Sequence, residues 1–264
     1  EALRVGQVTA PQHILPKLRA ERAVEAAEAV ISMHALGFPN DPLYEQQWNL
    51  AMIGAPVGWR VGAGKGIIVA VIDTGVSPTA DLPKSSLLAG RSFVPHDPSV
   101  ADRHGHGTHI AGTIAQETHN AYGVAGIAPA TRILPLKVLD YQGVGRSDWV
   151  AAAIDHAVDE GAKVINLSLG GLHSRVVTNA VEKARAAGVV VVAAAGNSGQ
   201  RGIGSPADAM SAIAVSAVGA NDKLAPYSSW GPGVELAAPG GDSAPTANGI
   251  LQSTIGGTKG QLMA

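Results

Sequence analysis

Apolar residues along the chain fall into two rhythms. Continuous runs at 67–72 (IIVAVI), 131–139 (TRILPLKVL), 163–169 (KVINLSL), 189–195 (VVVVAAA) and 212–218 (AIAVSAV) have the length of strands, with little of the polar alternation of a sheet that has one wet face. Between them, 147–160 (SDWVAAAIDHAVDE) and 175–187 (RVVTNAVEKARAA) read as amphipathic helices. Each is followed by a glycine, Gly161 or Gly188, at the position after a helix end that takes positive φ. Strand and helix in alternation predict an α/β fold with a mostly parallel sheet buried on both faces. Ligands of such sheets gather beyond the carboxyl ends of the strands. Here those ends read Asp73-Thr74-Gly75, Ser168-Leu169-Gly170-Gly171 and Gly196-Asn197-Ser198-Gly199.

The first 35 residues differ. Residues 15–29 (LPKLRAERAVEAAEA) are rich in Ala, Glu and Arg with apolar Leu15, Leu18 and Val24, and predict a short helix followed by a strand over 24–31. Gly37-Phe38-Pro39-Asn40-Asp41-Pro42 interrupts any periodicity, so the chain is divided into 1–35 and 36–264.

Composition narrows the picture. There are 33 glycines in 264 residues, well above the usual share of roughly 7%, which fits a fold with many tight turns. Nineteen Lys and Arg against 21 Asp and Glu leave a net charge of −2, arguing against nucleic acid or an anionic membrane as partner. The chain has no cysteine, which excludes disulfides, a thiol nucleophile and Cys-ligated metal sites within it. Its longest apolar stretch, 188–196 (GVVVVAAAG), falls short of the roughly 18 residues that cross a bilayer, so a soluble protein is expected. The opening EALRVGQVTAPQH has no basic segment followed by an apolar core, so no signal peptide is expected there.

Asp73 directly follows an apolar strand, where a buried carboxylate needs a hydrogen-bonded or charged partner; alone, it also fits a residue capping the turn at Thr74-Gly75. Residues 102–112 (DRHGHGTHIAG) set His104, His106 and His109 ahead of an apolar helix start. Histidine moves protons near neutral pH, and the flanking glycines let other backbone approach, so one imidazole could pass a proton between Asp73 and a nucleophile. A solvated loop and a His-ligated metallohydrolase site stay open as readings; the three histidines have metal-binding spacing, although Thr108 stands where that pattern wants Asp. In 193–199 (AAAGNSG) the Asn197 amide lies between glycines at the end of a strand of small residues. It is either a donor suited to a developing oxyanion or an Asn in a left-handed turn.

Together, VIDTGV at 71–76, HGTHIAGT at 106–113, SLGG at 168–171, AAGNSG at 194–199 and SPA at 205–207 resemble, in order and spacing, the subtilisin-like serine proteases (peptidase family S8), over roughly residues 38–264. The resemblance implies a three-layer fold with helices on both faces of the sheet and a serine endopeptidase activity. In it Asp73 orients and stabilises the imidazolium, His106 is general base and then general acid, Asn197 donates to the oxyanion, and His109 is structural. The family's nucleophile lies in a Gly-Thr-Ser-Met-Ala segment opening a helix, and 256–264 (GGTKGQLMA) contains no such segment. Two explanations stay open. Aligning 238–240 and 250–254 with the stretch before the nucleophile implies a serine beyond Ala264; alternatively Lys259 replaces it in a pseudoprotease that only binds peptides.

By the same resemblance, Gly143-Val144-Gly145 and Ser168-Leu169-Gly170-Gly171 flank an extended polypeptide substrate. The first specificity pocket is walled by Gly170, Ala195 and Gly196 and floored near Gly204 and Ala207, and its lack of charge suggests a large apolar P1 side chain. Within the family the chain is most like the thermitase branch, through its Asn40-Asp41-Pro42 entry. That implies a structural Ca2+ held by the side chains of Asp41, Asp81 and Asn120 and by carbonyls near Thr118, Tyr122 and Val124. Residues 1–35 resemble the tail of an inhibitory prodomain acting on the chain's own cleft, or else form a plain N-terminal helix. The resemblance as a whole implies a secreted, monomeric zymogen.

Overall fold

The computed structural model describes residues 12–24, 27, 39–242, 248–255 and 261–263. The chain divides into two compact units, Glu1–Phe38 and Pro39–Ala264. In the first, α1 (Leu15–Ala20) forms where the sequence predicts a helix, with Pro16 in its first turn, where a missing N–H costs nothing. Arg19 Nε donates to the Ala27 carbonyl at 2.6 Å. The strand expected over 24–31 falls, apart from Val24 and Ala27, outside the described residues.

The second unit opens with two short helices, α2 (Trp48–Met52) and α3 (Ala55–Val61), and continues as β1 (Ile68–Asp73), β2 (Arg91–Ser92), α4 (His106–Ala115), β3 (Arg132–Lys137), α5 (Ser147–Asp159), β4 (Val164–Leu167), α6 (Arg175–Ala186), β5 (Val190–Ala194), β6 (Ala212–Val218) and β7 (Val234–Pro239). These seven strands form one sheet in the order β2-β3-β1-β4-β5-β6-β7, every pair parallel. Strands β8 (Ile250–Gln252) and β9 (Gln261–Met263) pair separately and antiparallel. All five apolar runs become strands. Strands β2 and β7 escape the pattern for physical reasons: β2 is two residues long, and β7 is a part-exposed edge strand carrying Glu235.

The continuous apolar run of β1 is explained by burial on both sides. Ala70 and Ile72 join the core beneath α5 and α6 with Leu134, Leu136, Ile165 and Leu167, whereas Val69 and Val71 pack with Ile133 against Ala111 and Ala115 of α4. Helices therefore lie on both faces. Farther along the sheet cover is one-sided: Ile165, Val191, Ala212 and Ala214 are buried, but Val190, Val192, Ile213 and Val215 of the opposite face remain part-exposed.

Chain order reverses about β1. The chain leaves β1 for β2 and β3 on one side and then crosses to β4 on the other. Loops leaving the carboxyl ends of these neighbours diverge at such a point and open a crevice.

Candidate active site

At that crevice β1 ends in Asp73, which is fully buried. Its charge is answered on two sides. The Thr74 N–H donates to Oδ1 at 2.7 Å, and His106 Nδ1 lies 2.8 Å from Oδ1 and 2.9 Å from Oδ2. A carboxylate only accepts, so Nδ1 carries the hydrogen, and in the neutral ring Nε2 is the open acceptor. The hydrogen bond that His106 donates to Asp73 raises the His106 pKa above the ordinary 6.5, against an opposing effect of burial.

Local sequence explains this meeting. His106 is the first residue of α4, and the helix head must come very close to the end of β1. A Cβ on Gly107 would sit 2.1 Å from the Gly75 carbonyl oxygen and 3.1 Å from Asp73 Oδ1, so only glycine permits the approach.

Asp102, which opens the histidine motif but had no role assigned from sequence, organises the helix head. It is buried and accepts from five donors: the Thr74 hydroxyl (2.9 Å), the backbone N–H groups of His104 (2.9 Å), Gly105 (2.8 Å) and Thr108 (2.9 Å), and the Thr108 hydroxyl (2.7 Å). A carboxylate at a helix N-terminus satisfies N–H groups that have no partner in the helix and complements the dipole. The Thr74 hydroxyl in turn accepts from the Gly107 N–H at 2.9 Å, tying both carboxylates to one helix.

A second feature invisible in the pattern is Lys137. It sits opposite Asp73 in the β1–β3 register and is fully buried within an apolar run. Its ammonium donates to Asp97 Oδ2 at 2.6 Å and to the Ala101 carbonyl at 3.1 Å, pinning the segment that leads into Asp102. The hydrogen bond from Lys137 holds the Asp97 carboxyl below the usual range.

The three histidines do different work. His109 is buried and its Nε2–H donates to the Ile250 carbonyl at 2.9 Å; burial lowers its pKa. His104 is exposed, its ring edge-on to His106 with centroids 6.3 Å apart. They do not share a centre, and among the described residues no three His, Asp or Glu side chains are grouped to hold a metal.

His106 and His104 open onto a cleft of about 760 Å3 that is also lined by 142–147 and 168–174. Gly143, Val144, Gly145, Ser168, Leu169, Gly170 and Gly171 are therefore brought together. Gly171 exchanges backbone hydrogen bonds with Ser205 (2.9 and 3.2 Å), which adds Ser205 and Pro206 to the lining. Other expected residues are not in this lining. Ala195 and Ala207 are buried, Gly196 and Gly204 are part-buried, and none of the four lines the cleft. Asn197 is exposed just past the end of β5, outside the lining.

Residues 64–263 match the Subtilase family. The chain belongs to the subtilase family. It is 41% identical over 259 residues to a thermophilic serine proteinase of Bacillus sp. (strain AK1), covering 97% of this chain and 64% of that protein's length. It is 42% identical over 204 residues to thermitase of Thermoactinomyces vulgaris, covering 76% of this chain and 73% of thermitase. Subtilisin Savinase of Lederbergia lenta is 40% identical over 213 residues, covering 80% and 78%. A solved protease structure from Pseudoalteromonas arctica PAMC 21717 matches with a TM-score of 0.79 at 31% identity, over 85% of this chain and 79% of that one.

A second cluster of this subtilase joins the residues expected around a cation. Asp41 and Asp81 are both buried. Asp41 accepts from the N–H groups of His119 (2.9 Å) and Asn120 (3.4 Å), and Asp81 from Asn120 Nδ2 (2.8 Å) and the Val124 N–H (2.9 Å). Asn120 Oδ1 accepts from the Tyr122 N–H, and the Thr118 hydroxyl from Gly126. His119 and Ala121 hold positive φ (67° and 59°), a conformation costing an L-residue about 1–2 kcal/mol. Neither Asp41 nor Asp81 forms an ion pair among the described residues. Burial pushes the Asp81 carboxyl up; hydrogen bonds from Val124 and Asn120 oppose this, while the charges of Asp41 and Glu117 push the same way. Two buried carboxylates, an amide and a strained loop with spare carbonyls are a donor set suited to a hard cation.

Proposed function

We propose that this subtilase is a serine endopeptidase in which Asp73, His106 and Asn197 act with a serine lying outside these 264 residues. The observation that carries the reading is the His106 Nδ1–Asp73 hydrogen bond, which leaves Nε2 as the basic atom at a cleft lined by 143–145 and 168–171. In this reading Nε2 takes the proton of the serine hydroxyl as it attacks the scissile carbonyl and returns it to the leaving amine, while Asp73 stabilises the imidazolium. The exposed Asn197 amide, which makes no side-chain hydrogen bond among the described residues, donates to the developing oxyanion. Substrate adds as an extended strand between the two segments, with an apolar P1 side chain entering between Gly170 and the Ser205 region, backed by Ala195, Gly196, Gly204 and Ala207. The part-exposed apolar face at Val192, Ile213 and Val215 supports further chain covering the sheet, since such faces are ordinarily buried.

Fluorophosphonate labelling of the protein expressed from its complete coding region tests this reading. We expect covalent labelling, and His106→Ala should lower labelling and turnover by about 10²–10⁴-fold, the usual contribution of a general base. Peptide binding without any labelling would replace it with the pseudoprotease reading.

The same proposal places Ca2+ at Asp41, Asp81 and Asn120, with carbonyls of Thr118, Tyr122 and Val124. The ion would neutralise two buried charges and hold the 118–124 loop. Residues 1–35 are read as the tail of an inhibitory prodomain and the protein as a secreted monomer; N-terminal sequencing of the natural product tests the first.

A further inference from the structure

Asn197, the proposed oxyanion donor, stands on a loop that does little to hold it. Gly196 and Gly199 close to it in sequence both take positive φ, +114° and +64°, and glycine allows the backbone many other conformations. The Asn197 side chain makes no hydrogen bond among the described residues. A donor aimed in advance at a developing charge has to be fixed by groups around it.

A single buried serine supplies that fixing. Ser229 lies on the connection from β6 to β7. Its N–H donates to the Gly196 carbonyl at 2.8 Å, and its Oγ accepts from the Ser198 N–H at 3.3 Å. The first group belongs to the peptide plane before Asn197 and the second to the plane after it, so one residue holds both. The Ser198 and Ser229 hydroxyls are also paired, at 2.9 Å. A Cβ on Gly196 would meet Ser229 Oγ at 3.0 Å, which shows how closely the two segments lie. Ser229 is itself tied to the sheet: its carbonyl accepts from the Ser216 hydroxyl of β6 at 2.7 Å and from the Ser228 hydroxyl at 3.1 Å.

We infer that Ser229 is a positioning residue for the reaction, clamping the two peptide groups that flank Asn197 so that its amide is held ready for the oxyanion. This rests on the role proposed for Asn197. With both planes fixed, φ and ψ of Asn197 are set, and only its side-chain torsions are left to choose. Alanine in place of Ser229 keeps the bond to Gly196 but leaves the Ser198 N–H without its acceptor, which frees one of the two planes. The effect falls on the transition state rather than on substrate binding, because the oxyanion forms only there.

Peptide hydrolysis by the protein expressed from its complete coding region tests this, with kcat counted per fluorophosphonate-titrated site so that misfolded enzyme drops out. Ser229→Ala should lower kcat by about tenfold with KM nearly unchanged, within the roughly 10²-fold that a misplacement of about 1 Å can cost. Asn197→Ala should cost about 10²–10³-fold. Ser229→Ala added to Asn197→Ala should cost nothing further, because the clamp then holds no donor. A serine with a merely structural role would lower kcat by the same factor in both backgrounds, or not at all. Either result, or a change confined to KM, overturns the inference and leaves Asn197 in its role. If Ser229→Ala does not fold, Ser229→Cys takes its place, being close in size with a weaker acceptor. It should give a smaller loss that again vanishes in the Asn197→Ala background, and an unchanged kcat overturns the inference. Full activity of Asn197→Ala, or a parent protein that takes no label, overturns the reading of the site and this inference with it.

Discussion

Two regions of this subtilase each bury a pair of carboxylates, and they compensate the charge by different means. At the head of α4, Asp73 and Asp102 are matched within the chain: an imidazole and an N–H answer the first, and five donors answer the second. Beside the 118–124 loop, Asp41 and Asp81 receive N–H groups from that loop but no cationic side chain among the described residues, and the charge of Asp41 adds to the cost of ionising Asp81. Donor count is what separates them. The first region is complete as a machine for orienting a histidine. In the second, no cationic side chain among the described residues pairs with either carboxylate, which is why it is the proposed seat of a cation.

The contrast can be tested in descending order of effect. Asp102→Ala should cost about 3–5 kcal/mol in urea unfolding, because it strands three backbone N–H groups and two hydroxyls in a buried site. A loss under about 1 kcal/mol would mean the helix head is not closed by this carboxylate.

In the proposed reading the second region responds to Ca2+. Ca2+ at about a hundredfold its dissociation constant should add about 2.7 kcal/mol and raise the melting temperature relative to chelator, and Asp81→Asn should remove most of that gain. The pH dependence has a definite sign. Because the folded pKa of Asp81 is raised, the ion-free fold loses stability as pH rises through it, so the calcium effect should be larger at neutral than at acid pH. An unchanged melting temperature would make the two carboxylate pairs equivalent.

Gly107→Ala should cost about 1–3 kcal/mol by forcing α4 off the end of β1. Its His106 signal should also move toward that of an unpaired imidazole; an unshifted signal would show that close approach is not what pairs His106 with Asp73. Smallest in stability is the imidazole itself. Its pKa is raised in the fold, so its contribution is full below the ordinary 6.5 and is lost as pH rises through the folded value. Asp73→Asn should lower the His106 titration midpoint seen by NMR and remove that acid-side contribution. An unchanged midpoint would separate the pair.

Much of this was legible in advance because it is local. The five apolar runs became strands, and Asp73 and His106 were recognisable from short segments around them. Lys137 was hidden because it stands in an apolar run and its partner, Asp97, is 40 residues away. Asp102 was in plain view but without a role, since its acceptor capacity is spent partly on Thr74, 28 residues earlier. Of the residues expected at the specificity pocket, Gly170 lines the cleft, Ala195, Gly196, Gly204 and Ala207 do not, and Ser205 and Pro206, which the sequence pattern did not single out, do.

The sequence by itself determined the alternation of strand and helix, the glycines that close the helices and the residue types available for proton transfer. All of these depend on neighbours a few positions apart. Which of the three histidines meets a carboxylate was implied in the sequence by family resemblance alone, and the contact itself is made by the tertiary structure. Packing α4 on β1 brings His106 to Asp73 across 33 residues, turns His109 onto the Ile250 carbonyl across 141, and leaves His104 facing the cleft. Hydrogen-bond partners that far apart are chosen by the packing of one element on another, and no local pattern records the choice.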